Sequence, residues 1–427
     1  MKIYFTTFGC KVNQYETQEM SEILVNNGYK ITNSVLTADI VIINSCTVTA
    51  EGVRKVRQTI RKLKKNNANA IFVLTGCASQ AEPDIINDLP EIDILMGNKS
   101  NTKIVEILDA FFKNPVKMNA HELHDKNDSL LSTGITKFDG HTRAFLKIQD
   151  GCDRHCSYCL IPYARGFSRS KPLNEIDKEL NALSENGYKE IVFVGINLSD
   201  YGKNTENSLP DALELAEKYD NIKRIRLGSL EPDHITREMI ERLAKIKKLC
   251  PQFHISLQSG SNSVLKKMNR HYTSEEYETL ANNLREVFKD ATITTDILTA
   301  FPTETEEEFL ETVEFAKKIR FEKAHIFPYS VRVGTKAAKL TQHTKALKEK
   351  RAKQLTEITN EIRQEFLKSQ IGKTVNVLFE TDKENYSEGY TENYTPVRVY
   401  GNNKLVGEII KVKIIGVEDD SCIAEKR

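Results

Sequence analysis

The chain has no tryptophan, and its charges nearly cancel: 61 Lys and Arg against 60 Asp and Glu leave +1. A whole-surface attraction for nucleic acid or an anionic membrane is therefore excluded as the basis of function. No apolar run approaches the ~20 residues of a membrane span. No signal-type leader is expected either, because Lys2-Ile3-Tyr4-Phe5 runs straight into a strand-like segment. A disulfide framework is also missing: eight cysteines in 427 residues, without secretory features, read as reduced and metal-binding. These absences lead to the expectation of a cytoplasmic protein. The length allows two or three domains, and 39% apolar residues suffice to bury cores.

What is there is concentrated in KIQDGCDRHCSYCLIPYARG, residues 147–166, where Cys152, Cys156 and Cys159 form a C-x3-C-x2-C. Thiolates this close converge on one metal centre. An iron–sulfur cubane takes a ligand on each of four irons. Three cysteines leave one iron open, as a catalytic metal site is left one ligand short. A zinc knuckle is the competing reading, with His155 as fourth ligand, although a residue adjacent to Cys156 closes a tetrahedron poorly.

A second set is spread along the first hundred residues. Apolar runs at Ile3–Phe8, Ile40–Asn44 and Ile71–Thr75 alternate with helical patterns, which predicts a parallel α/β sheet. Each run ends in a Gly or Ser followed by a cysteine: Cys10, Cys46 and Cys77. Ligands bind at the carboxyl ends of such strands, so the three should converge on a second three-thiolate site. The plainer alternative is that small buried residues favour strand ends. The helix after Cys46 carries Arg54, Lys55, Arg57, Arg61, Lys62, Lys64 and Lys65.

Four segments are expected: an N-terminal Rossmann-like sheet domain over 1–112, a linker over 113–140, a barrel-type domain over 141–369 and a small β domain over 370–427. Six strand-like runs after Arg143 fit a partial (β/α)6 barrel, whose site lies at the strand carboxyl ends. Polar residues decorate those ends: Asn197, Ser229 with Glu231, Gln258 with Ser259, Asp296 and Tyr329. Arg165 reads either as a partner for a carboxylate or phosphate or as a solvated loop charge. A long basic helix, with Lys345, Lys348, Lys350, Arg351 and Lys353, leaves the barrel. Residues 371–427 hold eight Lys or Arg and ten Asp or Glu, a net charge of −2. RNA affinity there would need local patches, or stacking by Tyr390, Tyr394 or Tyr400 on unpaired bases. Cys250 and Cys422 read as buried thiols.

The runs FGCKVNQYET, INSCTVT, LTGCASQ, GCDRHCSYCLIPYARG, SLQSGSNSVLKKMNR and FPYSVRVGT together resemble the radical S-adenosylmethionine (SAM) methylthiotransferases. The last segment resembles the TRAM module, a small antiparallel RNA-binding barrel. The resemblance implies two 4Fe-4S clusters, one on Cys152, Cys156 and Cys159 and one on Cys10, Cys46 and Cys77. It implies SAM cleaved at the first and sulfur carried at the second. It places Tyr158 beside the adenine, the Asn197 turn at the methionine amino group, and Arg226, Ser229, Gln258 and Phe327 among the ribose, carboxylate or adenine contacts. The partners implied are the tRNA anticodon stem-loop, an electron donor and a sulfur source. Cys10-Lys11-Val12-Asn13-Gln14 looks most like the branch acting on N6-threonylcarbamoyladenosine. The isopentenyladenosine branch, the ribosomal-protein aspartate branch and a non-catalytic zinc-stabilised RNA binder stand as alternatives. One departure is plain: Ala300 and Thr303 replace two glycines of the family pattern, which puts the local backbone in question.

Overall fold

The computed structural model describes residues 1–203, 205–401 and 404–427. The first sheet has six parallel strands, in the order Lys30–Ile31, Lys2–Thr7, Ile40–Ser45, Ile71–Gly76, Ile94–Met96 and Met118–Ala120. Ile40–Ser45 is buried at every residue, as a central parallel strand covered on both faces must be. Helices Lys11–Asn26 and Ile104–Lys113 cover one face and Ala50–Asn66 the other. In Ala50–Asn66 the Thr49 hydroxyl accepts from the Gly52 N–H, and Val53, Val56, Ile60 and Leu63 form the buried stripe. The stretch 113–140, expected to be a connector, supplies the edge strand Met118–Ala120 before turning irregular.

Seven short parallel strands follow in two sheets. Arg143–Lys147, Glu190–Val194 and Arg224–Leu227 form one; Ser229–Leu230, Gln252–Ile255, Thr292–Thr299 and Lys323–Pro328 form the other. A bridge between Ile225 and Leu249 joins them into a partial barrel. All six expected strands are present, and Ser229–Leu230 carries the chain from one sheet to the next. The helix Lys345–Ser369 then leads to a closed barrel of Thr374–Asp382, Tyr386–Thr391, Pro396–Tyr400, Ser421–Lys426 and Ile409–Glu418. Among the described residues no helix is long and apolar enough to cross a membrane.

The terminal barrel docks under the entry ends of the partial-barrel strands. Arg224, the first residue of its strand, donates to the Tyr390 and Asn376 carbonyls at 3.0 and 2.9 Å, and Thr292 donates to the Asn393 carbonyl at 2.7 Å. The N-terminal sheet covers the opposite ends. The Arg332 guanidinium donates to Thr47 at 2.7 Å and Glu82 at 2.9 Å, and Asn98 donates to the Ala164 carbonyl at 2.7 Å.

Candidate active site

Register explains why the N-terminal cysteines meet. Ser45 pairs with Gly76, and Thr7 pairs with Asn44. Cys46 and Cys77 therefore leave neighbouring strands side by side, about one strand spacing, ~4.8 Å, apart in the sheet direction. Cys10 enters from the third strand end as the residue before helix Lys11–Asn26. Gly76 holds φ +98°, and a Cβ there would collide with the Ser45 backbone, so only glycine makes this turn. Asn13 ties the set together. Its carboxamide oxygen accepts from the Cys10 thiol at 3.3 Å, while its nitrogen donates to the Asn44 side chain at 3.0 Å and reaches the Cys77 sulfur at 3.9 Å. Cys10 is exposed, Cys46 half-buried and Cys77 buried. Burial raises the Cys46 thiol and pushes Cys77 up to about 12, so loading a metal here must displace held protons.

The second set lies in the loop after Gln149–Asp150. The Gln149 amide nitrogen donates to the Asp150 and Gly151 carbonyls, and its oxygen accepts from the Asn197 N–H at 2.8 Å. One side chain thus sets both the cysteine loop and the Gly195-Ile196-Asn197 turn. Gly151 has φ +78°, and a Cβ there would strike the Phe167 carbonyl. The loop is pinned from across the barrel. Ser157 N–H donates to the Met268 carbonyl at 2.9 Å, and Asn269 donates to the Arg154 carbonyl at 3.1 Å. Burial pushes Cys152 up to about 12 and raises Cys159 as well.

An arginine touches a sulfur in each set. Arg270 donates to Cys156 at 3.4 Å and pairs with Glu231; Arg165 donates to Cys77 at 3.2 Å and pairs with Glu16 and Asp150. Arg165 is fully buried, so it is a carboxylate partner and not a solvated loop charge. Burial alone would raise the Asp150 carboxyl, but Arg165, Lys147 and Arg169 outweigh it and hold Asp150 well below the usual range. Glu231 was singled out at its strand end, but Glu16, Gln149 and Arg270 were not. The site partners that give these three their roles, Arg165, Asn197 and Cys156, lie 149, 48 and 114 positions away, and no local motif marks them.

The expected SAM contacts divide. Arg226, Ser229 and Phe327 line a cavity of about 730 Å³ that also holds Cys10 and Lys11; Tyr158, Asn197 and Gln258 do not line it. Both amide atoms of buried Asn197 lack a partner among the described residues, which fits a bound polar ligand. Tyr158 packs beside Phe301 and Tyr329, and Gln258 holds φ +65° between two ladder bonds to Asp296 and Leu298. Arg226 stands apart. It pairs with Glu190 at 2.8 Å, donates to the Glu392 and Thr391 carbonyls, and lies over the Tyr394 ring. Tyr390 and Tyr394 stack on each other with centroids 4.4 Å apart beneath Arg143. They face the docking seam and the cavity, so stacking on a base at these two rings would take place there and not on the outer face of the terminal barrel. Tyr400 instead pairs with Tyr386 and bonds Glu418.

Among the described residues, the trio His254, Asp296 and His325 brings three ligand atoms within 4.8 Å, and no cysteine set does. The thiols are spread wider than the shell of a single ion. That favours a cluster over zinc, and exposed His155 joins no such group.

Comparison with known proteins completes the assignment. Residues 146–316 match the radical SAM superfamily, and residues 2–97 match an uncharacterised family designated UPF0004. The fold resembles the radical SAM methyltransferase TsrM from Kitasatospora setae, with TM-score 0.57 at 14% identity over 79% of this chain and 77% of that one. The chain is 37% identical to the threonylcarbamoyladenosine tRNA methylthiotransferase MtaB of Bacillus subtilis, over 97% of this chain and 93% of that protein. It is 37% identical to the MtaB of Aquifex aeolicus, over 97% and 100%. It is 35% identical to the tRNA-2-methylthio-N(6)-dimethylallyladenosine synthase of Thermodesulfovibrio yellowstonii, over 96% and 95%. Fold and cysteine loop define a radical SAM enzyme, a class that uses a 4Fe-4S cluster and SAM. Within that class the chain belongs to the tRNA methylthiotransferases.

Proposed function

We propose that this chain converts N6-threonylcarbamoyladenosine beside the tRNA anticodon, at position thirty-seven, to its 2-methylthio derivative. The observation that supports it most is the pairing of two three-thiol sets across one short helix. Arg165, at the end of helix Ile161–Arg165 that follows the Cys152 loop, bonds the Cys77 sulfur. Cys152, Cys156 and Cys159 would hold one 4Fe-4S cluster, and Cys10, Cys46 and Cys77 a second. Each set is one thiolate short, so each leaves an iron free for a small ligand. When bound, the clusters and SAM supply the radical and sulfur-transfer chemistry that acid–base groups cannot.

The protein's own residues position and enclose. Asn13 and Arg165 hold the Cys77 sulfur, and Arg270 does so for Cys156. Asn197, whose two amide atoms have no partner among the described residues, is the strongest candidate to hold the SAM amino acid end. Tyr158, Ser229, Gln258 and Phe327 complete the proposed cradle, while Arg226 is left to the docking seam. The threonylcarbamoyl branch is favoured by the Cys10–Gln14 run and by two relatives named for that nucleoside. An electron donor and a sulfur source are required partners. Cluster-loaded enzyme with SAM, reductant and threonylcarbamoylated tRNA should yield the 2-methylthio nucleoside on mass spectrometry. Product formed only from dimethylallylated tRNA would refute this choice of substrate.

A further inference from the structure

The cavity of about 730 Å³ is lined by all three parts of the molecule: Cys10 and Lys11 from the N-terminal sheet domain, strand residues from the partial barrel, and Tyr390 and Tyr394 from the terminal barrel. Its size suits a small-molecule group. Most charges on its wall already have partners. Lys323 and Arg363 share Asp420, Arg398 has Glu388, and His254 has Asp296. Lys11 is the exception. Among the described residues no carboxylate lies within ion-pair distance of its ammonium, which sits 5.9 Å from the centre of the Phe145 ring. The floor beneath it is rich in positive charge. Arg143, Arg224 and Arg226 converge on the single carboxylate of Glu190, and Glu380 adds one more, beside Arg143. Glu392 reaches Arg224 only at 4.0 Å and from a half-exposed position. An unpaired ammonium over a cationic floor, next to Cys10, is a place for an anion.

We propose that Lys11 is the specificity-determining residue of this enzyme: its ammonium pairs with the carboxylate at the end of the amino-acid tail on N6 of the target adenine. This rests on the threonylcarbamoyladenosine reading. A threonylcarbamoyl group ends in a free carboxylate; a dimethylallyl group has no polar atom. The acid tail completes the Lys11 pair. The apolar tail would cover the ammonium without bonding it, so the same residue rejects the other nucleoside. Lys11 adjoins Cys10, so tail capture also brings the base to the second thiol set.

The test uses two anticodon stem-loop RNAs. One carries N6-threonylcarbamoyladenosine; the other is identical except that the carboxylate is a methyl ester. Binding to cluster-loaded enzyme with SAM is measured by fluorescence anisotropy. Wild type should prefer the acid by about 10- to 100-fold. Lys11→Met should bring the acid-to-ester ratio to about one, and Lys11→Arg should keep most of it. The ratio is internal to each variant, so a smaller folded fraction cancels. A wild type indifferent to esterification, or a Lys11→Met variant that keeps the wild-type ratio, would overturn the role of Lys11. Catalysis reports separately on the underlying reading: a wild type that methylthiolates only dimethylallylated RNA overturns that reading and takes this inference with it.

Discussion

Ala300 and Thr303 sit in the left-handed region, at φ 52° and 69°, where an L-residue is strained by ~1–2 kcal/mol. The backbone thus keeps the conformation that glycines would take, although the glycines are gone. The reason is Glu304. Its carboxylate accepts from the Ala300 N–H at 2.8 Å and is clamped by Arg351 at 2.7 Å. Arg351 lies 47 positions away, so the sequence put this turn in question without showing what restores it. Thr303 is exposed and β-branched; Thr303→Gly should stabilise the fold by about 1 kcal/mol, read as a higher denaturant midpoint. An unchanged or lower midpoint would show that the turn is not strained. Arg165 makes the opposite case. Arg165→Ala should leave buried Glu16 and Asp150 with Lys147 as their remaining close cation and cost about 3 kcal/mol in denaturant unfolding. A cost below about 1 kcal/mol would mean water replaces the guanidinium.

At the scale of elements, the strands were largely legible because runs such as IVIIN and IFVLT are Ile- and Val-rich and end in small residues. Lys30–Ile31, Ile94–Met96 and Met118–Ala120 were not, since two or three residues carry no alternation. The basic helix Ala50–Asn66 was legible as amphipathic, but the acids that neutralise part of it were not. Arg54, Arg57, Arg61 and Lys64 pair with Glu51, Asp88, Glu91 and Asp93. Those acids are scattered over 51–93 and join the helix only when the sheet forms. Lys55, Lys62 and Lys65 are exposed, and none has an acidic partner among the described residues. Reversing these three to Glu should weaken tRNA binding and flatten its salt dependence by about 0.9 for each phosphate no longer neutralised. An unchanged slope would move the RNA to another face.

For the molecule as a whole, the cysteine positions were readable from spacing and strand order, because Gly-Cys and Ser-Cys at successive strand ends are local signals. The cavity was not, because Lys11, Arg226 and Tyr394 come from three domains and meet only through docking. Likewise Tyr390 and Tyr394 read as RNA platforms from sequence, whereas Arg143 and Arg226 from the partial barrel lie over their rings. All of the proposed chemistry still depends on two separate clusters. The most direct measurement is iron and sulfide per chain after anaerobic reconstitution, on wild type and on a variant with Cys10, Cys46 and Cys77 all changed to Ala. Two clusters predict about eight irons and eight sulfides for wild type. The variant should hold about four of each, still cleave SAM and form no methylthio product. A wild type holding about four irons, or a variant keeping about eight, would contradict a second cluster on those three thiols.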